Sequence, residues 1–200
     1  MTDRFSEVLS VVLGFEGGYA DDPDDRGGRT NYGITEDTLR SAYERKIVSH
    51  NDIRSLSKAD AALIYWSDYW EPIGADGMPE PLDLVMFDCA VNHGVGGAVK
   101  LLQEGLNSIL KDTVLAVDGA IGPRTRAALA TLRKEDARLT NGSGDVKPYS
   151  LLRYLCLEVL MNRTRLYDRL ADRNMSQRKF LRGWIHNRVV KLGKSAGLED

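Results

Sequence analysis

The 200-residue sequence is poor in the features that would define several large protein classes. It has only two cysteines, Cys89 and Cys156, both in apolar helical patterns and in neither a CxxC pair nor a Cys/His cluster. They read as buried thiols, which argues against a disulfide scaffold and a thiolate metal site. Long hydrophobic runs are missing. The N-terminal stretch carries Asp3 and Glu7 and only a short apolar run, Val11 to Phe15, interrupted by Gly14. This reads as neither a signal peptide nor a spanning helix, so synthesis in the cytoplasm without stable membrane insertion is expected. There is no excess of positive charge: 27 Lys+Arg against 29 Asp+Glu give a formal net charge of −2. Nucleic acid is therefore not expected as a partner on global charge. The sequence has no Walker phosphate loop, and DGAIG at residues 118–122 lacks the spacing and preceding strand of a dinucleotide site. His50, His93 and His186 are scattered, with no HExxH and no nucleophile elbow, so neither a zinc hydrolase nor a Ser/Cys triad is supported. No metal and no cofactor are expected.

What is present is helix-forming pattern. Phe5, Val8, Leu9, Val12 and Leu13 recur at helical spacing, and this first helix is expected to end near Gly17–Gly18. Thr35 is placed to cap a second helix running to about Lys46. Ser57 and Asp60 form a capping-box pattern ahead of an aromatic helix with Tyr65, Trp66, Tyr69 and Trp70. Further helices are expected over about 82–92, 98–110, 125–138, 150–173 and 176–190, with the glycines of HGVGG breaking the first of these. The segment between Tyr19 and Ile34, with Pro23, Gly27, Gly28 and Gly33, suits an irregular β-hairpin near residues 18–35. No strand pattern suffices for a central sheet. The fold class is thus mainly α, an α+β body with one small hairpin.

Charge is segregated along the chain. Residues 1–80 carry 8 basic and 16 acidic side chains, 81–145 carry 7 and 8, and 146–200 carry 12 and 5, for local sums of −8, −1 and +7. Arg163, Arg165, Arg169, Arg173, Arg178, Lys179, Arg182 and Arg188 make the tail basic. They read either as a solvated helix face or as a patch for an anionic polymer, nucleic acid or acidic cell wall.

Glu16 stands out among the carboxylates. It ends an apolar helix beside two glycines, and Asp21, Asp22, Asp24 and Asp25 follow within nine residues. A half-desolvated carboxyl has a raised pKa and can donate a proton to a leaving oxygen, while a second carboxylate orients water or stabilises positive charge. The helix dipole disfavours a carboxylate at that end, so its placement calls for a reason. The same position also suits an ordinary surface glutamate before a glycine turn, and the pattern alone leaves both readings open. The aspartate run has neither the length nor the closing Glu of an EF-hand loop. Thr30, Asn31 and Tyr32, on the hairpin's return limb, carry hydroxyl and amide groups suited to positioning water or sugar hydroxyls. Asn92 and His93 are placed to line a cleft, and the aromatic helix to stack on a carbohydrate ring; at helical spacing about two of its four rings belong in the core.

Phe15-Glu-Gly-Gly-Tyr19, then Asp22-Pro-Asp-Asp-Arg-Gly-Gly-Arg-Thr30 and Tyr32-Gly-Ile-Thr35, resemble the glycoside hydrolase 108 family of bacterial and phage N-acetylmuramidases. The block departs from the family at Arg26 and Arg29. The likeness continues through Tyr65-Trp66, Tyr69-Trp70, Phe87-Asp88-Cys-Ala-Val-Asn92 and Gly94. Val117-Asp-Gly-Ala-Ile-Gly-Pro-Arg-Thr125 and Gly183-Trp184-Ile-His-Asn-Arg188 resemble the predicted peptidoglycan-binding region of such proteins. The resemblance implies a lysozyme-like fold, with a catalytic region over residues 1–95 and a helical peptidoglycan-binding region over 96–200 packed into the same globule. It implies cleavage of the β-1,4 bond between N-acetylmuramic acid and N-acetylglucosamine, with Glu16 as catalytic acid and peptidoglycan glycan strands as partner. By a broader likeness to phage lysozymes, Asp25 falls on the second carboxylate, with Asp22 as the alternative. Thr30, Asn31 and Tyr32 become candidates for holding water, and Tyr19, Tyr69, Trp70, Asn92 and His93 for binding substrate. An endolysin of this kind waits in the cytoplasm and reaches the periplasmic wall after release by a holin or another system; a host wall-remodelling enzyme fits as well. The rival readings are a non-catalytic peptidoglycan-binding protein and a helical DNA-binding protein using the basic tail.

Overall fold

The computed structural model describes residues 1–14, 30–111, 114–139 and 150–199. The chain divides into two compact units, Met1–Pro72 and Ile73–Asp200.

In the first unit the side chain of Thr2 accepts a hydrogen bond from the Phe5 amide and opens α1, Asp3–Leu13. Phe5, Val8, Leu9 and Val12 are buried along one stripe, as their spacing predicts. The helix closes at Leu13 with Gly14 as its cap, short of the expected Gly17–Gly18; the rest of the expected span lies outside the described residues. Two short strands follow, β1 (Thr30–Asn31) and β2 (Ile34–Thr35), antiparallel with Thr30 opposite Thr35 and Asn31 opposite Ile34. Tyr32 and Gly33 make the turn with φ of 51° and 74°. Two positive φ values in succession match the right-handed twist of the flanking strands. The expected hairpin is therefore present in its return limb, while residues 18–29 lie outside the described residues.

Thr35 caps α2, Glu36–Glu44, by accepting from the Thr38 amide. Ser57 and Asp60 form the expected reciprocal capping box at the start of α3, Lys58–Tyr65. The chain then makes one wide π turn over Trp66–Trp70. Phe5 meets Trp66 edge-on at 5.0 Å and Trp70 at 5.3 Å, which locks α1 to this turn. Each such aromatic pair contributes about 0.5–1.5 kcal/mol beyond its burial.

The second unit is built around α4, Leu82–Ile109. All of residues 82–90 are buried, the signature of a helix surrounded by core. Gly94 interrupts it with φ 72° and ψ 161°, a conformation open to glycine, at the place where the HGVGG run predicts a break. Ser150 caps α6, Leu151–Arg173, which packs along α4. Between them runs α5, Pro123–Leu139, entered through the turn at residues 117–122. That turn is held from inside: Gln103 donates through Nε2 to Asp118 Oδ1 at 2.8 Å and accepts from the Gly119 amide at 3.0 Å. Gly119 has φ 81°, and a Cβ there would lie 2.8 Å from the Gly96 carbonyl oxygen, so only glycine fits. The region expected as one helix over 176–190 is instead α7 (Arg178–Ile185), a π turn over His186–Val190 and α8 (Lys191–Ser195). Arg153, from α6, fastens the tail by donating to the carbonyls of Gly197 at 2.7 Å and Leu198 at 2.6 Å. Among the described residues no helix is long and apolar enough to cross a membrane.

Candidate active site

Glu16, Tyr19, Asp22 and Asp25 lie outside the described residues. The described part of the first unit that bears on them is the hairpin's return limb. Asn31 donates through Nδ2 to the carbonyls of Ile53 at 3.1 Å and Leu56 at 3.5 Å, tying β1 to the loop before α3. The Tyr65 hydroxyl donates to the Tyr32 carbonyl at 2.9 Å. This bond holds Tyr32 in a positive-φ conformation that is uncommon for a bulky residue. Thr30 sits half-buried opposite Thr35. The limb that carries these three candidates is thus fixed at both ends, and the side-chain nitrogen of Asn31 is used in fixing it.

The aromatic helix divides as its spacing predicts. Tyr65 and Trp70 are buried, while Trp66 and Tyr69 are half-buried. Trp70 corrects an expectation: at 0% exposure, with its ring against Phe5 and Trp66, it cannot stack on a sugar and belongs to the core. Tyr69 lies tilted against Tyr65 at 5.8 Å and keeps part of its surface. Arg45 grips Asp68 of the π turn with two bonds of 2.7 and 2.8 Å, so α2 fixes the segment that carries Tyr69. The paired Asp68 carboxylate strengthens the hold of Arg45 on its own proton, chiefly through that hydrogen bond.

In the second unit Asn92 and His93 end the first stretch of α4 and join a network that sequence reading did not assemble. Asp88 accepts from Arg163 at 2.5 Å through Oδ2 and from Arg188 at 2.8 Å through Oδ1. Arg163 also donates from Nη1 to the Arg188 carbonyl at 2.8 Å, and from Nε to His93 Nε2 at 3.1 Å and the Tyr167 hydroxyl at 3.0 Å. Tyr167 in turn donates to Asn92 Oδ1 at 2.9 Å. Trp184 stacks on Tyr167 at 5.3 Å and Phe180 on Trp184 at 6.2 Å. Asp88 and Arg163 are fully buried and Arg188 nearly so, whereas Asn92 is exposed. Arg163 and Arg188 therefore do not belong to a surface basic patch; both are bonded to Asp88 within the protein.

Burial, reinforced by the Arg163 charge, pushes the His93 imidazole down to about 4, so the ring is neutral at pH 7. Burial likewise pushes the Tyr167 hydroxyl up to about 12 and the Cys89 thiol up to about 11. Cys156 is raised too, again by burial, and both cysteines are free and buried, as expected. The residues missed, Arg163 and Tyr167, stand four apart on α6, as Asp88 and Asn92 do on α4. That matched spacing was the available signal.

A chain with this helical body and two polar clusters, one on the hairpin limb and one behind Asn92, is matched by two family models. Residues 9–94 match glycosyl hydrolase 108, and residues 97–189 match a predicted peptidoglycan domain. Among solved structures, that of Brucella abortus SagA is 30% identical and superposes with a TM-score of 0.71. The match covers 96% of this chain and 93% of that one. No curated protein matches the chain. The chain belongs to the glycosyl hydrolase 108 family, and it is a glycoside hydrolase that acts on peptidoglycan by muramidase-type hydrolysis.

Proposed function

We propose that the protein cleaves the β-1,4 bond between N-acetylmuramic acid and N-acetylglucosamine, with Glu16 as the general acid. The match of residues 9–94 to the glycosyl hydrolase 108 family carries this reading, because that span contains Glu16 within its Phe15–Tyr19 block. Glu16 protonates the departing glycosidic oxygen. Asp25 stabilises the oxocarbenium-like transition state, with Asp22 as the alternative partner. Oδ1 of Asn31, whose nitrogen is engaged elsewhere, and the Thr30 hydroxyl are the atoms suited to hold water beside them. Tyr32 supports this limb through its backbone. Tyr19, Tyr69, Asn92 and His93 contact the glycan. The reading extends to synthesis in the cytoplasm, then action in the periplasm after release by a holin or another system, without nucleic acid as a partner.

The test is digestion of purified peptidoglycan by the wild type and Glu16→Gln, with borohydride reduction and mass spectrometry of the released ends. Reduced N-acetylmuramic acid ends are expected from the wild type, and release by Glu16→Gln is expected to fall by about 10²–10⁴-fold. Equal release by both proteins would assign the acid to another residue.

A further inference from the structure

The network behind Asn92 has a direction, set by which atoms can only donate. A guanidinium has no acceptor, so the contacts of Arg163 Nε with Tyr167 Oη and His93 Nε2 require both of those atoms to accept. Tyr167 then spends its one hydroxyl hydrogen on Asn92 Oδ1. The amide oxygen of Asn92 is thereby turned inward, and its NH₂ group is the end left to face outward on an exposed residue. His93, with Nε2 accepting and its ring neutral, carries its proton on Nδ1. Of the two, Asn92 presents an N–H group outward rather than an acceptor.

Tyr167 is held by more than its hydrogen bonds: its ring lies between His93 at 5.3 Å and Trp184 at 5.3 Å. Its hydroxyl is therefore fixed in place independently of any ligand, a preorganised arrangement.

We infer that the outward NH₂ group of Asn92 donates to an amide carbonyl oxygen of the glycan strand, and that Tyr167, backed by Arg163 and Asp88, is the positioning residue that fixes the polarity of Asn92. The inference rests on the reading of Asn92 as a glycan contact and names the atom involved. Peptidoglycan offers such a carbonyl in the acetamido groups of its sugars and in the amide joining the lactyl group to the stem peptide.

Asn92→Asp and Tyr167→Phe test it in the full chain. Asn92→Asp keeps an inward oxygen for Tyr167 and exchanges the outward donor for a negatively charged acceptor. Tyr167→Phe keeps the stacked ring and removes only the hydroxyl. On soluble glycan fragments from purified peptidoglycan, KM is expected to rise about tenfold for Asn92→Asp, with kcat within about twofold and an unchanged melting temperature. Tyr167→Phe is expected to raise KM about threefold, and to add nothing when Asn92 is already alanine. De-N-acetylated glycan and glycan stripped of stem peptides separate the two carbonyl sources: on the source that binds, removal raises KM for the wild type and abolishes the difference between wild type and Asn92→Asp.

An unchanged KM for Asn92→Asp, or a Tyr167→Phe effect of equal size in the Asn92→Ala background, overturns the inference. Affinities of the same variants for the fragments, measured in a Glu16→Gln background, keep this question apart from catalysis. Loss of hydrolysis in the wild type would sink the acid–base reading, whereas equal affinities across the variants would sink this one alone.

Discussion

The two units solve the problem of an interior differently. In Met1–Pro72 the described core is apolar and aromatic, with Phe5 set against Trp66 and Trp70, and the ion pairs lie toward solvent. In Ile73–Asp200 lie all the buried polar and charged side chains among the described residues: Asp83, Asp88, Gln103, Thr125, Ser150, Arg153, Glu158, Asn162 and Arg163. Apolar packing is non-directional and forgives a change of shape, whereas a buried charge is tolerated only when its partners are all in place. The second unit therefore trades tolerance for fixed orientation, which is what a group such as Asn92 requires if it is to face a ligand with one defined atom.

The largest expected effect tests that contrast most directly. Arg163→Ala leaves the Asp88 carboxylate buried beside a void and is expected to lose about 3–5 kcal/mol in urea denaturation. Replacing Asp88 and Arg163 together by apolar residues is expected to lose less than the sum of the two single changes; a simple sum would mean that they do not act as a pair. In the first unit Trp70→Ala is expected to cost about 3–5 kcal/mol through the cavity it leaves. The units should separate on conservative changes: Trp70→Phe is expected to be milder than Arg163→Lys, since lysine cannot reproduce a planar fork bonded to four groups. The reverse order in matched denaturation curves would break the comparison.

A pH effect of intermediate size follows from His93, whose folded-state value of about 4 lies below its ordinary 6.5. Between those values the unfolded chain binds more protons than the folded one, so stability is lost as pH falls from 6.5 towards 4 and is unaffected above that window. Wild type is expected to lose more stability than His93→Gln across it, and NMR titration should place the imidazole near 4. The smallest effect belongs to the exposed pair of the first unit: Arg45→Ala, facing Asp68 with its own side chain 45% exposed, is expected to change stability by about 0–1 kcal/mol.

Much of the helical scaffold was legible from local pattern. The stripe of Phe5, Val8, Leu9 and Val12, the caps at Thr35 and Ser57 and the break at Gly94 all depend on residues within a turn or two of one another. Element ends were less legible. Around His186 the π turn replaces one expected helix by two, because a wide turn leaves no mark in the spacing of apolar residues. Within the candidate site the hairpin limb with Thr30, Asn31 and Tyr32 was readable, but the anchoring of Asn31 on the Ile53 carbonyl was not. Trp70 was misjudged as a sugar platform for a related reason: spacing says that a helix has an aromatic face, and only its neighbour Phe5 decides which rings that face loses to the core.

By itself the sequence determined which segments are helices, where they begin, where glycine had to open the chain, and the motif block around Glu16 that marks the hydrolase family. Only the tertiary structure decided the fate of the charges. Asp88 and Asn92 on α4, and Arg163 and Tyr167 on α6, each show ordinary four-residue spacing, and nothing local states that the two pairs face each other. They meet 75 residues apart in sequence. A buried guanidinium is stable only against partners brought by another element, so its role depends on helix packing, which local periodicity does not encode.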